Sequence, residues 1–141
     1  MILIGVDPDV DKNGVAIKES ENYQLLNLTF FELFSKLNEL INTNSKSKII
    51  VFVECGFLNK SNWHKDNFGS AAKNTKIGNN TGRNHEVAYK IIEMCDFLKI
   101  EVVQIKPTSR KLKADAFKSL TGITSRTNQE QRDAMMLIFE R

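Results

Sequence analysis

The chain of 141 residues has little cysteine and no long hydrophobic run. Its two cysteines, Cys55 and Cys95, cannot supply a disulfide framework or a four-cysteine zinc site. The longest apolar runs cover residues 49–53 and 134–139, whereas a membrane-spanning helix needs roughly 20 such residues. The first residues also lack the basic leader of a signal peptide. We therefore expect a reduced, cytoplasmic protein.

The net charge of +3 hides two basic segments. Residues 58–85 carry five Lys or Arg side chains against one Asp, and residues 106–118 carry the same numbers. The rest of the chain is consequently acidic. Each basic segment is either a solvated face or a surface for a polyanion, and composition alone leaves both interpretations open.

Hydrophobic periodicity predicts one α/β domain that spans residues 1–141. The strand patterns cover residues 2–6, 15–18, 23–29, 49–53 and 102–105, and the helical patterns cover 31–41, 87–98, 112–120 and 127–139. The run at 49–53 is typical of a strand covered on both faces. Because the later strands alternate with helices, we predict a mixed five-stranded sheet flanked by helices, with three antiparallel strands followed by two parallel ones.

A stretch poor in aliphatic residues, 57–84, is too long for an ordinary connection and is predicted to be a functional loop. Its cations are Lys60, Lys65, Lys73, Lys76 and Arg83, and its aromatic residues include Phe57, Trp63 and Phe68. Cations neutralise phosphates and aromatic rings stack on exposed bases, so this composition favours a branched or unpaired nucleic acid. Alternatively, each aromatic side chain fastens the loop to the core.

Four carboxylates occupy positions that packing alone does not require. Asp7 ends the first strand and Glu54 ends the fourth, so parallel pairing would place both at the carboxyl edge of the sheet. Glu130 and Asp133 are three residues apart and share one face of the last helix. Clustered carboxylates need cations, and hard oxygen ligands suit Mg²⁺ or Mn²⁺. Two such ions would support phosphodiester hydrolysis.

Each acid also has a structural interpretation. Asp7 is suited to an Asx turn before Pro8, and Glu54 to a solvated strand end. Glu130 could complete a capping box with Thr127, and Asp133 could stabilise the dipole of the last helix. The joint placement of the four acids favours the catalytic interpretation.

Three short motifs carry a resemblance to a known family. Residues 2–8, Ile-Leu-Ile-Gly-Val-Asp-Pro, resemble the first-strand motif of the RuvC-type Holliday junction resolvases in the RNase H-like superfamily. Residues 51–54 resemble the family's fourth-strand motif, and residues 130–134 resemble its terminal-helix motif. The chain departs from the pattern at Asp9, where Gly is common, and at Glu130, where Asp is usual. Its compactness is similar to that of phage versions.

The resemblance implies an endodeoxyribonuclease that resolves Holliday junctions or other branched DNA by paired symmetric nicks. It implies a homodimer that uses two Mg²⁺ or Mn²⁺ ions, in a bacterial or phage-infected cell, with the helix near His85 at the dimer interface. By resemblance the catalytic metal ligands are Asp7, Glu54, Glu130 and Asp133, and the active-site lysines are Lys106 and Lys113. Lys111 joins the DNA-binding set, and Phe57, Trp63 or Phe68 would be the aromatic wedge at the junction.

Two other functions remain open. An RNase H-like nuclease acting on RNA–DNA hybrids would share the acids without needing the dimer or the long loop. A branched-DNA-binding protein that has lost catalysis would be consistent with the departures at Asp9 and Glu130.

Overall fold

The fold is described by a computed structural model for residues 1–59, 71–108 and 111–141, except for the side chains at 71, 72, 74, 76 and 77. The strands are β1 (Ile2–Asp7), β2 (Asn13–Glu19), β3 (Asn22–Leu28), β4 (Ile49–Glu54) and β5 (Glu101–Ile105). The α-helices are α1 (Phe30–Thr43), α2 (Ala71–Phe97), α3 (Ala114–Thr121) and α4 (Gln129–Met136), and a 3-10 turn covers Gly56–Leu58. Across these ranges, no helix combines the length and apolarity needed to cross a membrane.

The strands form one mixed sheet in the order β3-β2-β1-β4-β5. β1 pairs antiparallel with β2, and β2 pairs antiparallel with β3. β4 is parallel to both β1 and β5. The predicted arrangement of three antiparallel strands and two parallel ones is therefore confirmed. β1 lies at the centre of the sheet, so its carboxyl end has a neighbour on each side.

Helices cover both faces of this sheet. In β1, Ile2, Ile4 and Val6 face a core that includes side chains from α1 and α2. Leu3 points the other way, into a second core shared with α3 and α4. Burial of each such side chain stabilises the fold by roughly 1.5–3 kcal/mol. The prediction that β4 is covered on both faces is correct, because its side chains alternate between the two cores.

The predicted loop at 57–84 is wrong for its second half, because α2 already begins at Ala71. In the amino-terminal part of α2, the described side chains are mostly exposed, and apolar contacts with the core begin at Val87 and Ala88. No apolar stripe marks those first turns, so the periodicity of the sequence indicates only the buried part of the helix. Lys60, Trp63, Lys65 and Phe68 lie outside the described residues, as does the side chain of Lys76.

The last helix is shorter than the predicted 127–139, and it is capped differently. Its N-cap is Asn128, whose side chain accepts from the Gln131 amide while the Gln131 side chain accepts from the Asn128 amide. The capping box predicted for Thr127 and Glu130 is therefore wrong. Since Gln131 performs the capping, Glu130 is left for another role.

Candidate active site

Asp7 and Glu54 lie side by side at the carboxyl edge of the sheet. β1 and β4 run parallel with Val6 opposite Val53, and the two acids are the next residues of their strands. Burial, followed by the charge of Glu54, raises the pKa of Asp7 to about 7. Burial also raises the pKa of Glu54. Two half-buried carboxyl groups thus compete to remain ionised, which requires a neighbouring cation if both are to be charged.

α4 brings Asp133 and Glu130 to the same edge because two glycines let it approach the sheet closely. A Cβ at Gly5 would overlap the backbone carbonyl of Ala134, and one at Gly14 would overlap the backbone of Glu130. Gly14 lies in β2 opposite Asp7, so the absence of a side chain there lets α4 pack against the sheet next to that acid. The negative charges of Asp133 and Glu130 both raise the pKa of Asp7, with Asp133 the stronger of the two.

Lys111 supplies a cation among these carboxylates. Its Nζ lies 2.6 Å from Asp133 Oδ2, and its charge lowers the pKa of both Asp7 and Glu54. Burial alone would lower the pKa of Lys111, but its hydrogen bond to Asp133 and the nearby carboxylates raise it above the ordinary value. The cluster is therefore partly neutralised by a residue of the chain itself.

The other two lysines of interest lie further out. Lys106 is exposed and lines a cleft together with Lys111, whereas Lys113 is the exposed N-cap residue of α3 and lines neither cleft beside the acids. Lys111 precedes α3 in a segment without regular structure. The resemblance pointed to Lys106 and Lys113 at the active site, but among the described residues the lysine that contacts a carboxylate there is Lys111.

Two clefts meet at Glu54 and Lys111. The first has a volume of about 230 Å³ and is lined by Asp7, Pro8, Glu54, Gly56, Thr81, Asn84, His85 and Lys111. The second has a volume of about 200 Å³, and its polar or charged lining comprises Glu54, Lys106, Thr108, Lys111, Asp133 and Arg141. Together they give access to the carboxylates from both sides of β4.

The lining includes residues that the sequence did not point to. Asn84 Oδ1 is buried and has no hydrogen-bond partner among the described residues. Arg141 lies with its guanidinium 4.9 Å from the centre of the Phe52 ring, and its Nε donates to the Leu137 carbonyl. Lys18 fixes the Arg141 backbone by donating to its carbonyl. These contacts hold a cation in position beside the acids, and no periodic pattern in the sequence marks them.

Apart from Lys111, the predicted DNA-binding residues that are described lie along α2 and its approach. Phe57 stacks on Tyr89 with ring centres 4.1 Å apart and meets His85 edge-on. It is half-buried against the core, as expected if this aromatic residue fastens the segment in place. Lys73 and Arg83 are exposed on α2. Arg83 is the nearer of the two in sequence to the cleft residues Thr81, Asn84 and His85.

The donor chemistry of the four acids fits Mg²⁺ or Mn²⁺, because each offers hard carboxylate oxygens. In this conformation, however, no three Asp, Glu, His or Cys side chains of the described residues are grouped closely enough to hold one ion. Asp133 is instead occupied by Lys111 on Oδ2 and by the Gln129 amide on Oδ1, at 2.6 and 2.7 Å. The carboxylate oxygens therefore suit a divalent metal ion, but in this conformation the cation that contacts Asp133 is the Lys111 ammonium.

No protein-family model matches the chain, and no curated protein sequence matches it significantly. Among solved structures, it is similar to Thermus thermophilus RuvC in complex with a Holliday junction substrate. The identity is 11%, the TM-score is 0.50, and the match covers 97% of this chain and 90% of that one. A second structure of Thermus thermophilus RuvC matches with the same identity and coverage and a TM-score of 0.48. The chain therefore has a RuvC-like fold.

Proposed function

We propose that the protein is a divalent-metal-dependent endonuclease that cuts branched DNA, in particular four-way junctions. The observation that carries this proposal is the meeting of Asp7 and Glu54 with Asp133 and Glu130 at one edge of the sheet. Burying several carboxylates together costs stability unless cations offset their charge. Because the arrangement costs stability, it is expected where the acids have a functional role and not where they only support the fold.

The four acids are the residues that would hold the metal. A bound Mg²⁺ or Mn²⁺ activates water and stabilises charge on a phosphoryl oxygen. The chain contributes the positioning: Asp7 and Glu54 are fixed by paired strands, and Asp133 and Glu130 by a helix packed tightly on two glycines. Lys111 reaches both clefts, so its ammonium group can neutralise charge on a phosphate bound between them.

The clefts on either side of Glu54 favour a nucleic-acid strand as the substrate. A strand that crosses this edge would place one phosphate near Lys111 and a neighbouring one near Lys106 and Arg141. Such cations contribute affinity that decreases with salt. The RuvC structure with the same fold holds a Holliday junction substrate. That likeness motivates the choice of branched DNA for this chain.

Paired nicks require two active sites, which we propose are supplied by a homodimer. An apolar patch on α1 and α2 supports this proposal: Phe31 is 77% exposed and Phe97 74%, and both line one groove between these helices. Exposed aromatic side chains in one region are typical of interaction surfaces. Sedimentation equilibrium should give twice the monomer mass, and Phe97→Glu should reduce it to that of a monomer.

The direct test replaces Asp7 with Asn and measures cleavage of a four-way junction in Mg²⁺. We expect a rate loss of at least about a hundredfold, since one charged ligand is removed at the centre of the cluster. Asp11→Asn, in the exposed turn before β2, is the matched control and should cleave at the wild-type rate. Wild-type activity in the Asp7 variant would refute the mechanism. Faster cleavage of an RNA–DNA hybrid than of the junction would instead favour a hybrid-specific nuclease.

A second candidate is a junction-binding protein that does not cleave. The observation that favours it is the contact between Lys111 and Asp133, which occupies a carboxylate that the proposed nuclease requires. Tight junction binding with no product over titrations of both Mg²⁺ and Mn²⁺ would support this candidate over the nuclease.

A further inference from the structure

The ion pair between Lys111 and Asp133 joins side chains in very different surroundings. The Lys111 side chain is 58% exposed, whereas that of Asp133 is 10% exposed, and their atoms are 2.6 Å apart. Asp133 therefore stays in place at the edge of the sheet, while the lysine reaches it from solvent on a flexible stem. A lysine ammonium is a compact charge on rotatable bonds, so it can leave such a contact without any backbone movement.

The backbone beside Lys111 is held independently of that contact. The buried Arg132 donates from Nε to the Leu112 carbonyl at 3.1 Å and from its other nitrogens to Thr127 and Gln129. Gln129 in turn donates to Asp133 Oδ1. Arg132 thus fixes both the origin of the Lys111 side chain and the orientation of the Asp133 carboxylate. The Lys111 side chain can therefore move while the Leu112 backbone and the Asp133 carboxylate stay in place.

We propose that Lys111 is a resident counter-ion, which a divalent metal ion displaces from Asp133 and which then turns to the phosphate of the substrate. This inference rests on the proposed function, because it assigns a step to the same site. The proposal explains how the acids are grouped. In this conformation the Lys111 ammonium contacts Asp133, and no three possible ligands among the described residues surround a common point. Lys111 is then a positioning residue before the metal binds and a phosphate contact afterwards.

Displacement has an energetic consequence that can be measured. The metal must compete with an ion pair whose acidic partner is largely buried, so the lysine weakens metal binding in the free protein. Removing Lys111 should consequently strengthen metal binding while it slows cleavage. A lysine that merely supports the fold would not give these opposite changes, because loss of structure weakens both.

The first experiment measures Mn²⁺ binding to the free protein by electron paramagnetic resonance for wild type, Lys111→Met, Lys111→Arg and Lys118→Met. We expect Lys111→Met to bind Mn²⁺ about fivefold to tenfold more tightly than wild type. Lys111→Arg retains the cation and should bind no more tightly than wild type. Lys118, exposed on α3, is the matched control and should leave binding unchanged. Equal or weaker Mn²⁺ binding in Lys111→Met would overturn the proposal.

The second experiment uses the unaltered protein, so it does not depend on a variant that folds. Acetylation of each lysine by a water-soluble active ester is followed by mass spectrometry with and without saturating Mn²⁺. Lys111 should react at least about threefold faster with Mn²⁺, because its amine is released from Asp133, and Lys118 should not change. An unchanged rate at Lys111 in a protein that binds Mn²⁺ and cuts junctions would overturn this inference and leave the proposed function standing. A protein that neither binds Mn²⁺ nor cleaves would overturn both.

Discussion

The two ends of the parallel strands use charge in different ways. At the amino ends of β4 and β5 there is a cleft of about 490 Å³, more than twice the volume of either cleft at the other end. Its ion pair, Lys48 with Glu101, has a distance of 2.7 Å and side chains that are 61% and 51% exposed. At the carboxyl ends, Lys111 and Asp133 are 2.6 Å apart, but Asp133 is 10% exposed.

Burial of charge, and not cleft size, therefore distinguishes the candidate site from the other end of the strands. The two ion pairs have nearly equal distances, yet an exposed pair contributes at most about 1 kcal/mol because water solvates both partners. Around Asp133 the carboxylates of Asp7 and Glu54 are partly desolvated, so each charge affects its neighbours. The larger cleft has no comparable cluster of acids in its lining.

The two ends should differ most in how a lost carboxylate changes the rate of junction cleavage. Glu54→Gln removes a charge at the carboxyl end, and Glu101→Gln removes one at the amino end with the same change of shape. We expect junction cleavage to fall at least about a hundredfold for Glu54→Gln, because a metal ligand is lost. Glu101→Gln should cleave at the wild-type rate. Equal losses in the two variants would abolish the distinction between the ends.

The acids at the carboxyl end could be predicted from the sequence because each follows a recognisable pattern. The hydrophobic runs of β1 and β4 stop at Asp7 and Glu54, and the order of elements makes those strands parallel neighbours. Glu130 and Asp133 are three residues apart, a spacing that places both side chains on one face of a helix. For these residues, local pattern and topology were sufficient.

Lys111 belongs to the predicted DNA-binding set, but its contact with Asp133 could not be predicted in the same way. Lys111 lies just before α3, where residues 111–113 have no regular structure, and its position depends on the hydrogen bond from Arg132 to the neighbouring Leu112 carbonyl. Arg141 likewise depends on long-range contacts, with the ring of Phe52 and with Lys18. Periodicity reports which face of an element is buried, but it contains no information about contacts between irregular segments. The same limit explains why the exposed first turns of α2 were expected to be a loop.

The second expected effect concerns how α4 is held at the carboxyl end. Gly14→Ala would place a Cβ against the backbone of Glu130, which cannot move unless the whole helix does. We expect a loss of about 2–3 kcal/mol in the free energy of unfolding by urea, together with slower cleavage, because α4 carries two of the acids.

Gly82→Ala is the matched control for that change. Gly82 lies within α2, and no described atom beyond the helix's own backbone lies within 4 Å of a Cβ built there. Because alanine favours helix, this variant should gain about 0.5–1 kcal/mol. A Gly14 variant as stable as the Gly82 variant would show that α4 does not need its close approach to the sheet.

The smallest of the three effects is a pH dependence of the free energy of unfolding. It should arise from Asp7 at the carboxyl end of the strands and have no counterpart at the amino end. The pKa of Asp7 is raised from 3.8 to about 7, first by burial and then by Glu54. Below pH 4 the group is protonated in both states, whereas between pH 4 and 7 the unfolded chain releases a proton that the folded protein retains. A shift of about three pKa units corresponds to about 4 kcal/mol, and partial solvation of the half-buried carboxylate reduces this to about half. Wild type without metal should therefore lose on the order of 2 kcal/mol of stability as the pH rises from 4 to 8.

Asp7→Asn has no proton to lose at this position. In urea unfolding with EDTA, its free energy of unfolding should therefore exceed that of wild type by an amount that grows from near zero at pH 4 to about 2 kcal/mol at pH 8. Lys48→Gln, at the amino end, should run parallel to wild type over the whole range, since its ion pair is exposed on both sides. Added Mg²⁺ should stabilise wild type at pH 8 more than it stabilises Asp7→Asn, because the ion removes the repulsion that the substitution has already removed. Parallel curves for wild type and Asp7→Asn would mean that neither burial nor the neighbouring acids raise the pKa of Asp7, and the contrast between the two ends would then be one of shape only.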